Sequence, residues 1–260
     1  MTGLVQRLRH VYWLMERRIV PGLRSAQRQY EEALDRCVQP SIRWLDVGCG
    51  RRLLGPWRSA VERALVARSG RVFGVDPDLA SLRDNGSIPY RCLARAGELP
   101  FRSGSFDLVT ANMVVEHLRD PEHEIAEVWR LLADGGVVVL HTPNRWAFPT
   151  MFMPSIPQAL KHLAASTLEG RPTKDVFPAY YRINSSSTIR DVAERRGFEV
   201  VSIDLISSAA LFALVPPLAA LELLWIRLLS SRWAARARPN IIAVLRKRAG
   251  GVLGAAGAPA

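Results

Sequence analysis

Arg43-Trp-Leu-Asp-Val-Gly-Cys-Gly50 is an apolar run that ends in an acid and a Gly-x-Gly turn, and a segment of helical character follows it. Glycine has no Cβ and tolerates φ > 0, so such a turn lets the backbone come close to a ligand. The helix behind it offers free N–H groups to the ligand's polar end. A sharp strand-to-helix connection with no ligand uses the same residues, so the stretches that follow must separate the two readings.

Arg71-Val-Phe-Gly-Val-Asp76 is a second β-rich run ending in an acid, as expected for the second strand of a βαβ unit whose carboxylate faces a ribose. Asp46 lies two residues before the first glycine, where dinucleotide folds carry a small or apolar residue. A carboxylate there suits a ligand with a cationic amino-acid end.

The chain alternates between strands and helices on both sides of these runs. Strands are expected at 42–47, 71–76, 88–93, 106–112 and 136–142, with helices at 56–68, 78–84 and 121–133. This pattern predicts an α/β fold: a Rossmann-like, doubly wound, mostly parallel sheet with helices on both faces. Asp134-Gly-Gly136 is read as a helix stop before the buried strand Val137–Leu140. Residues 145–180 hold five prolines and read as a cap insertion. A helix over 185–196, a strand Phe198–Ile203 and a final strand Ile241–Leu245 complete the set.

The order Leu45–Gly50, Gly74–Asp76, Glu98–Val109, Ala111–Pro121 and Glu127–Asn144 resembles the class I S-adenosylmethionine (SAM)-dependent methyltransferases. The branch it is most similar to is directed at small molecules and lipids and includes quinone-biosynthesis methyltransferases. The resemblance covers residues 40–145 and, more loosely, 180–205. It implies SAM as cofactor and no metal. Asp46, Gly48, Cys49 and Gly50 would hold the methionine end, and Asp76 the ribose hydroxyls. Ala96, Glu98 and Leu99 would flank the adenine, and Asn112 and Met113 would line the methyl-donor side. Two positions depart from the family: Arg52 replaces a third glycine, and Arg95 replaces an acid that binds the adenine amino group.

For proton removal from a hydroxyl acceptor, His117 and His141 are the candidates, since an imidazole titrates near neutrality. His117 could equally orient the loop before the helix that Pro121 opens, and His141 could be a core residue. His123 is expected on the polar, solvated face of that helix. Ala111-Asn-Met-Val114 lacks the Pro-Pro-Tyr motif of base methylation, so nucleic acid is not the expected partner. The expected reaction is methyl transfer to a small or lipid-linked acceptor at oxygen: a glycolipid, a lipid-linked sugar or a quinone-type precursor. The alternatives are an RNA methyltransferase that uses the arginine excess, and a catalytically silent scaffold.

The length of 260 residues is ample for a large core, and the formal net charge is +11, almost all of the cations being arginine. Three cysteines without metal-like spacing indicate a reduced, cytoplasmic setting, and the apolar, then basic segment 206–238 adds a peripheral place at the inner face of the membrane. Residues 1–39 read as an amphipathic helical lid with Leu4, Leu8, Val11, Met15 and Ile19 on one face, or as a helix lying on a membrane. Residues 40–205 form the SAM-binding domain, 239–248 its last strand and 249–260 a tail. Between them, 206–238 is an apolar, then basic helical insertion. It is read as an anionic-membrane anchor, with Arg232, Trp233, Arg236 and Arg238 at headgroup depth, or as a hairpin packed on the domain or on a second subunit in a homodimer.

Overall fold

The computed structural model describes residues 2–147, 177–207 and 213–250. Most of the expected cap insertion and of the expected tail lies outside these residues.

Strands β1 (Arg43–Val47), β2 (Arg71–Asp76), β3 (Tyr90–Leu93), β4 (Phe106–Asn112), β5 (Leu132–Pro143), β6 (Phe198–Ile206) and β7 (Asn240–Lys247) form one sheet in the order β3-β2-β1-β4-β5-β7-β6. The first five pair in parallel, and β7 enters antiparallel between β5 and β6. Strand side chains alternate between faces, so successive residues of β1 enter different cores. Trp44 joins a cluster with Tyr30, Leu34, Leu65 and Leu82, and Leu45 joins one with Ile125, Leu131, Ile189 and Phe198. Helices α2 (Ala26–Cys37), α3 (Ser59–Ser69) and α4 (Leu79–Asp84) supply the first cluster; α5 (Pro121–Leu131) and α6 (Ser186–Arg195) supply the second. The expected α/β sheet with helices on both faces is present.

Several boundaries differ from expectation. The N-terminal region is two helices: α1 (Thr2–Ile19) and α2, separated around Pro21 and a Gly22 with φ of +78°. Proline cannot continue the hydrogen-bond ladder, and glycine takes the left-handed turn. Ser25 then caps α2 by accepting from the Arg28 N–H, and α2 buries Tyr30, Ala33 and Leu34 against the sheet. On α1 the predicted face splits. Met15 and Ile19 pack inward with Tyr12, and Leu4 and Val11 are exposed.

Asp134-Gly-Gly136 is not the helix stop. Helix α5 ends at Leu131 and β5 begins at Leu132, so the two glycines lie within the strand, where its pairing with β4 shifts register. Gly135 has φ of +75°, and a Cβ on Gly136 would sit 2.8 Å from the Ala133 carbonyl oxygen. Strand β3 starts at Tyr90, two residues later than expected, because Asn85 holds Ser87 and Ile88 in a turn by accepting from both of their N–H groups. Helix α7 (Pro216–Leu229) lies in the 206–238 insertion and packs Leu223 and Ile226 against α1.

Candidate functional site

The carboxyl ends of β1, β2, β4 and β5 converge on one crevice, the position at which open parallel sheets bind ligands. Its floor is the turn after β1. The N–H groups of Gly48 and Cys49 both donate to the Val75 carbonyl oxygen, at 2.8 and 3.0 Å, and tie the turn to β2. Gly48 has φ of +70°, and a Cβ there would overlap the Val114 side chain. Gly50, at φ of +47°, faces open space. The Cys49 side chain points the other way and is buried against Gly74, where a Cβ would lie 2.7 Å from its Sγ. Cys49 therefore meets the crevice only through its backbone.

Asp76 stands at the end of β2 and ties this turn to the loop after β2. Its Oδ2 accepts from the Gly50 N–H at 2.9 Å and its Oδ1 from the Asp78 N–H at 2.8 Å. Asn85, fully buried, donates from Nδ2 to the Gly50 carbonyl at 3.0 Å and to that of Cys49 at 3.3 Å, and so braces the turn from behind. The sequence reading missed Asn85; the Asn85-Gly86 pair directly after a helix was the available signal.

Asp46 lies beneath the turn in a buried chain of groups: Trp44 Nε1 donates to Thr110 Oγ1 at 2.8 Å, and that hydroxyl donates to Asp46 Oδ1. Burial pushes the Asp46 carboxyl up to about 8; the Thr110 hydrogen bond pulls it down, and the charges of Asp76 and Glu62 push it up again. A carboxyl so placed gains by receiving a cation, since a nearby positive charge favours its ionised form. Glu62, also buried, accepts the Leu54 N–H at 2.9 Å and fixes the loop after the turn.

On the adenine side, the Ala94 N–H continues the pairing of β3 by donating to the Asp76 carbonyl oxygen at 3.2 Å. Ala96 is half-buried, and Glu98 and Arg95 are exposed. Leu99 is a core residue, and its N–H is taken by Glu127 Oε1 at 3.2 Å. Arg130 pairs with Glu127 and donates to the Leu99 and Phe101 carbonyls. His123 is exposed, as expected, and its Nε2 lies 2.9 Å from the Gly97 carbonyl oxygen, which ties the helix to this loop. Arg52 is exposed, like Arg95.

The acceptor side is made of side chains. Met113 adopts φ of +58°, a costly conformation for a residue with a Cβ, held by its N–H bond to the His141 carbonyl at 2.8 Å. His141 Nδ1 is 2.7 Å from Asn112 Oδ1, its ring stacks on Tyr30 at 5.4 Å, and its Nε2 is sealed from solvent without a partner. Burial pulls the His141 pKa down to about 4. His117 is half-exposed, and its Nδ1 lies 2.9 Å from the Pro178 carbonyl. A carbonyl only accepts, so Nδ1 carries the proton and the neutral ring presents Nε2 as its lone pair. That Nε2 is 3.9 Å from Oε1 of Glu116.

Glu116 is a second residue the sequence reading passed over. It is buried, and burial raises its pKa, while its own backbone N–H, His117 when protonated and the Thr142 hydrogen bond pull the other way. Thr142 donates to its Oε2 at 2.9 Å, and Asn184 Nδ2 donates to Thr142 Oγ1 at 2.6 Å. The Tyr180 and Tyr181 N–H groups donate to the Glu116 carbonyl and bring the 177–184 segment onto this side. Among the described residues no cluster of potential metal ligands occurs. A groove of about 550 Å³ between α2 and α3 is lined by ion-paired residues such as Glu31 and Arg58 and includes none of these strand-end groups.

A family model described as a methyltransferase domain matches residues 23–203, well over half of the chain. A probable S-adenosylmethionine-dependent methyltransferase of Mycolicibacterium smegmatis is 33% identical over 193 residues, which cover 70% of this chain and 64% of that protein. A ubiquinone biosynthesis O-methyltransferase of Chromobacterium violaceum is 35% identical over 112 residues, 39% of this chain and 44% of its own length. The chain thus spans less than two thirds of either relative. Among solved structures, an S-adenosylmethionine-dependent methyltransferase from Mesorhizobium loti aligns with a TM-score of 0.54 at 17% identity, covering 86% of this chain and 98% of that one. The [4+2]-cyclase SpnF aligns with a TM-score of 0.55, also at 17% identity, covering 85% and 81%. At such identity these likenesses establish the fold alone.

Proposed function

Because the chain belongs to the class I S-adenosylmethionine-dependent methyltransferases, we propose that it transfers a methyl group to an oxygen of a small or lipid-linked acceptor, with a glycolipid, lipid-linked sugar or quinone-type precursor as the acceptor class. When bound, SAM supplies a sulfonium methyl as the electrophile, which leaves the protein to position and deprotonate the nucleophile. The relative named for ubiquinone O-methylation supports oxygen as the target.

The observation that carries the reading is the Asp76 carboxylate bridging the Gly50 and Asp78 N–H groups beside a turn that opens onto free space. The Asp76 carboxylate takes the ribose hydroxyls, Asp46 faces the cationic methionine end, and the loop around Ala96 flanks the base. His117 acts as the general base. Its tautomer is fixed by Pro178, its Nε2 is the basic atom, and Glu116 lies close enough to favour the imidazolium after proton transfer. His141, buried and with a depressed pKa, instead orients Asn112. The exposure of Arg52 and Arg95 favours an enzyme over a silent scaffold, since an exposed guanidinium can turn to solvent when a cofactor enters.

Calorimetry tests the cofactor half. SAM should bind the full chain, and Asp76→Ala should weaken binding by roughly tenfold or more, the equivalent of about 1.5–3 kcal/mol for hydrogen bonds to a charged group. Unchanged affinity in that variant would sink the reading. Incubating lipid and sugar-nucleotide extracts with isotopically labelled SAM identifies the acceptor.

A further inference from the structure

Helix α7 divides into two faces. Ala219, Leu223, Ile226 and Leu229 are buried, two of them against α1. The opposite side carries Leu218, Leu221, Leu224, Trp225 and Leu228, all exposed, with Leu221 at 65% and Leu224 at 53%. At 100° per residue these five fall on one stripe that contains no charged side chain. The apolar surface continues into Leu214 and Val215 before the helix and ends, after it, at Trp233, which is 76% exposed between the exposed Arg232 and Arg236. A contiguous apolar strip of this kind on a folded domain marks an interaction surface.

We infer that the outer face of α7, with Trp233, Arg232 and Arg236 at its end, docks on the surface of an anionic lipid bilayer. Three observations select this occupant. First, α7 has 14 residues, about 21 Å at 1.5 Å per residue, too short for a hydrocarbon core of about 30 Å. Among the described residues no helix is long and apolar enough to cross a membrane. Second, the chain carries a formal net charge of +11 and the charged residues at the end of the strip are arginines, so a second copy would repel it where an anionic surface attracts it. Third, the exposed cations sit where the apolar stripe ends, with an indole between them, the arrangement that places guanidiniums on lipid phosphates and a ring at headgroup depth.

The other nearby arginines are committed elsewhere. Arg227 donates to the Ile19 carbonyl at 2.7 Å and locks α7 to the end of α1. Arg238, expected at the lipid surface, instead donates to the Leu205, Leu229 and Ser230 carbonyls and holds the insertion on the domain. The inference stands apart from methyl transfer and holds whatever the acceptor.

Flotation of the full chain with vesicles of mixed phosphatidylglycerol and phosphatidylcholine tests it. The chain should float with these vesicles and bind pure phosphatidylcholine at least fivefold less. Leu221→Gln combined with Leu224→Gln should lower the bound fraction at least tenfold with its circular dichroism and melting temperature unchanged. Arg232→Gln combined with Arg236→Gln should remove the preference for anionic vesicles. As a reading free of any folding defect in a variant, brominated acyl chains should quench the tryptophan emission of the unaltered chain, and Trp233→Phe should reduce that quenching. No flotation of the unaltered chain, no quenching, or equal flotation of the leucine variant would overturn the inference. So would a dimer in light scattering that the leucine changes dissolve while flotation persists.

Discussion

On the β1–β2 side of the crevice the groups that shape it are backbone N–H groups, bonded to the Val75 carbonyl and the Asp76 carboxylate and arranged by a five-residue strand, its glycine turn and the end of the neighbouring strand. On the β4–β5 side they are side chains, and each is held by a residue far away in sequence: His117 by Pro178, Asn112 by His141, Glu116 by Thr142 and, through it, Asn184. A backbone-built half tolerates little change, because its shape depends on φ values that only glycine adopts without strain. A half built from side chains can be altered one residue at a time without touching the first. That division suits an enzyme that keeps one cofactor and varies its acceptor.

The comparison breaks most sharply at His117. His117→Ala should lower the rate of methyl transfer by about 10²–10⁴, the usual worth of a general base, and leave the dissociation constant for SAM unchanged. A variant with full activity would show that the acceptor loses its proton elsewhere. Next comes the opposite pattern. Gly48→Ala forces a non-glycine residue to φ of +70° against Val114. Strain of roughly 2–3 kcal/mol corresponds to SAM affinity weaker on the order of 100-fold, measured by calorimetry, and normal affinity would separate the turn from the cofactor.

Asp46→Asn sharpens the contrast through pH. The folded chain holds the Asp46 proton up to about pH 8, and an unfolded chain releases it near 4. Between those values the native state binds the extra proton, so this group makes stability fall as pH rises. The asparagine variant lacks that loss. Its melting temperature should match the parent near pH 4 and exceed it by several degrees above pH 8. His141, with its pKa lowered, acts in the opposite sense below about 6.5 and does so equally in both proteins. Parallel melting curves across the whole range would show that Asp46 is ionised without ligand. The smallest effect belongs to Asn184→Ala. It removes hydrogen bonds to Thr142 and Pro143, but Asn184 Oδ1 is already without a partner. About 1 kcal/mol is expected, a melting shift of roughly 2–4 °C, with SAM affinity untouched.

The same division explains what could be read from the chain. The parallel sheet, the Gly48–Gly50 turn and Asp76 were legible because each is written in a few adjacent residues whose type follows from local geometry. Glu116 was not, since nothing within its own segment tells of Thr142 or of the Tyr180 and Tyr181 N–H groups that meet it. Tyr30 was missed for the same reason: its contact with His141 exists only once α2 lies against β5. Asp134-Gly-Gly136 misled in a different way. Glycine after a helix usually ends it, but here Leu132 leaves the helix first and the glycines serve the register shift with β4. Cys49 was assigned by its place in the turn, and its side chain turned to the core because Gly74 leaves room there.

The position of β7 between β5 and β6 sets a constraint during synthesis. β6 cannot pair with β5 directly and must wait until Lys247 has left the ribosome. At about 5–20 residues per second, roughly 2–8 s separate the completion of β6 at Ile206 from that of its partner. Throughout that interval the nascent chain displays an unpaired β6 together with the apolar segment carrying α7, and slowing translation there should make it a client of holding chaperones.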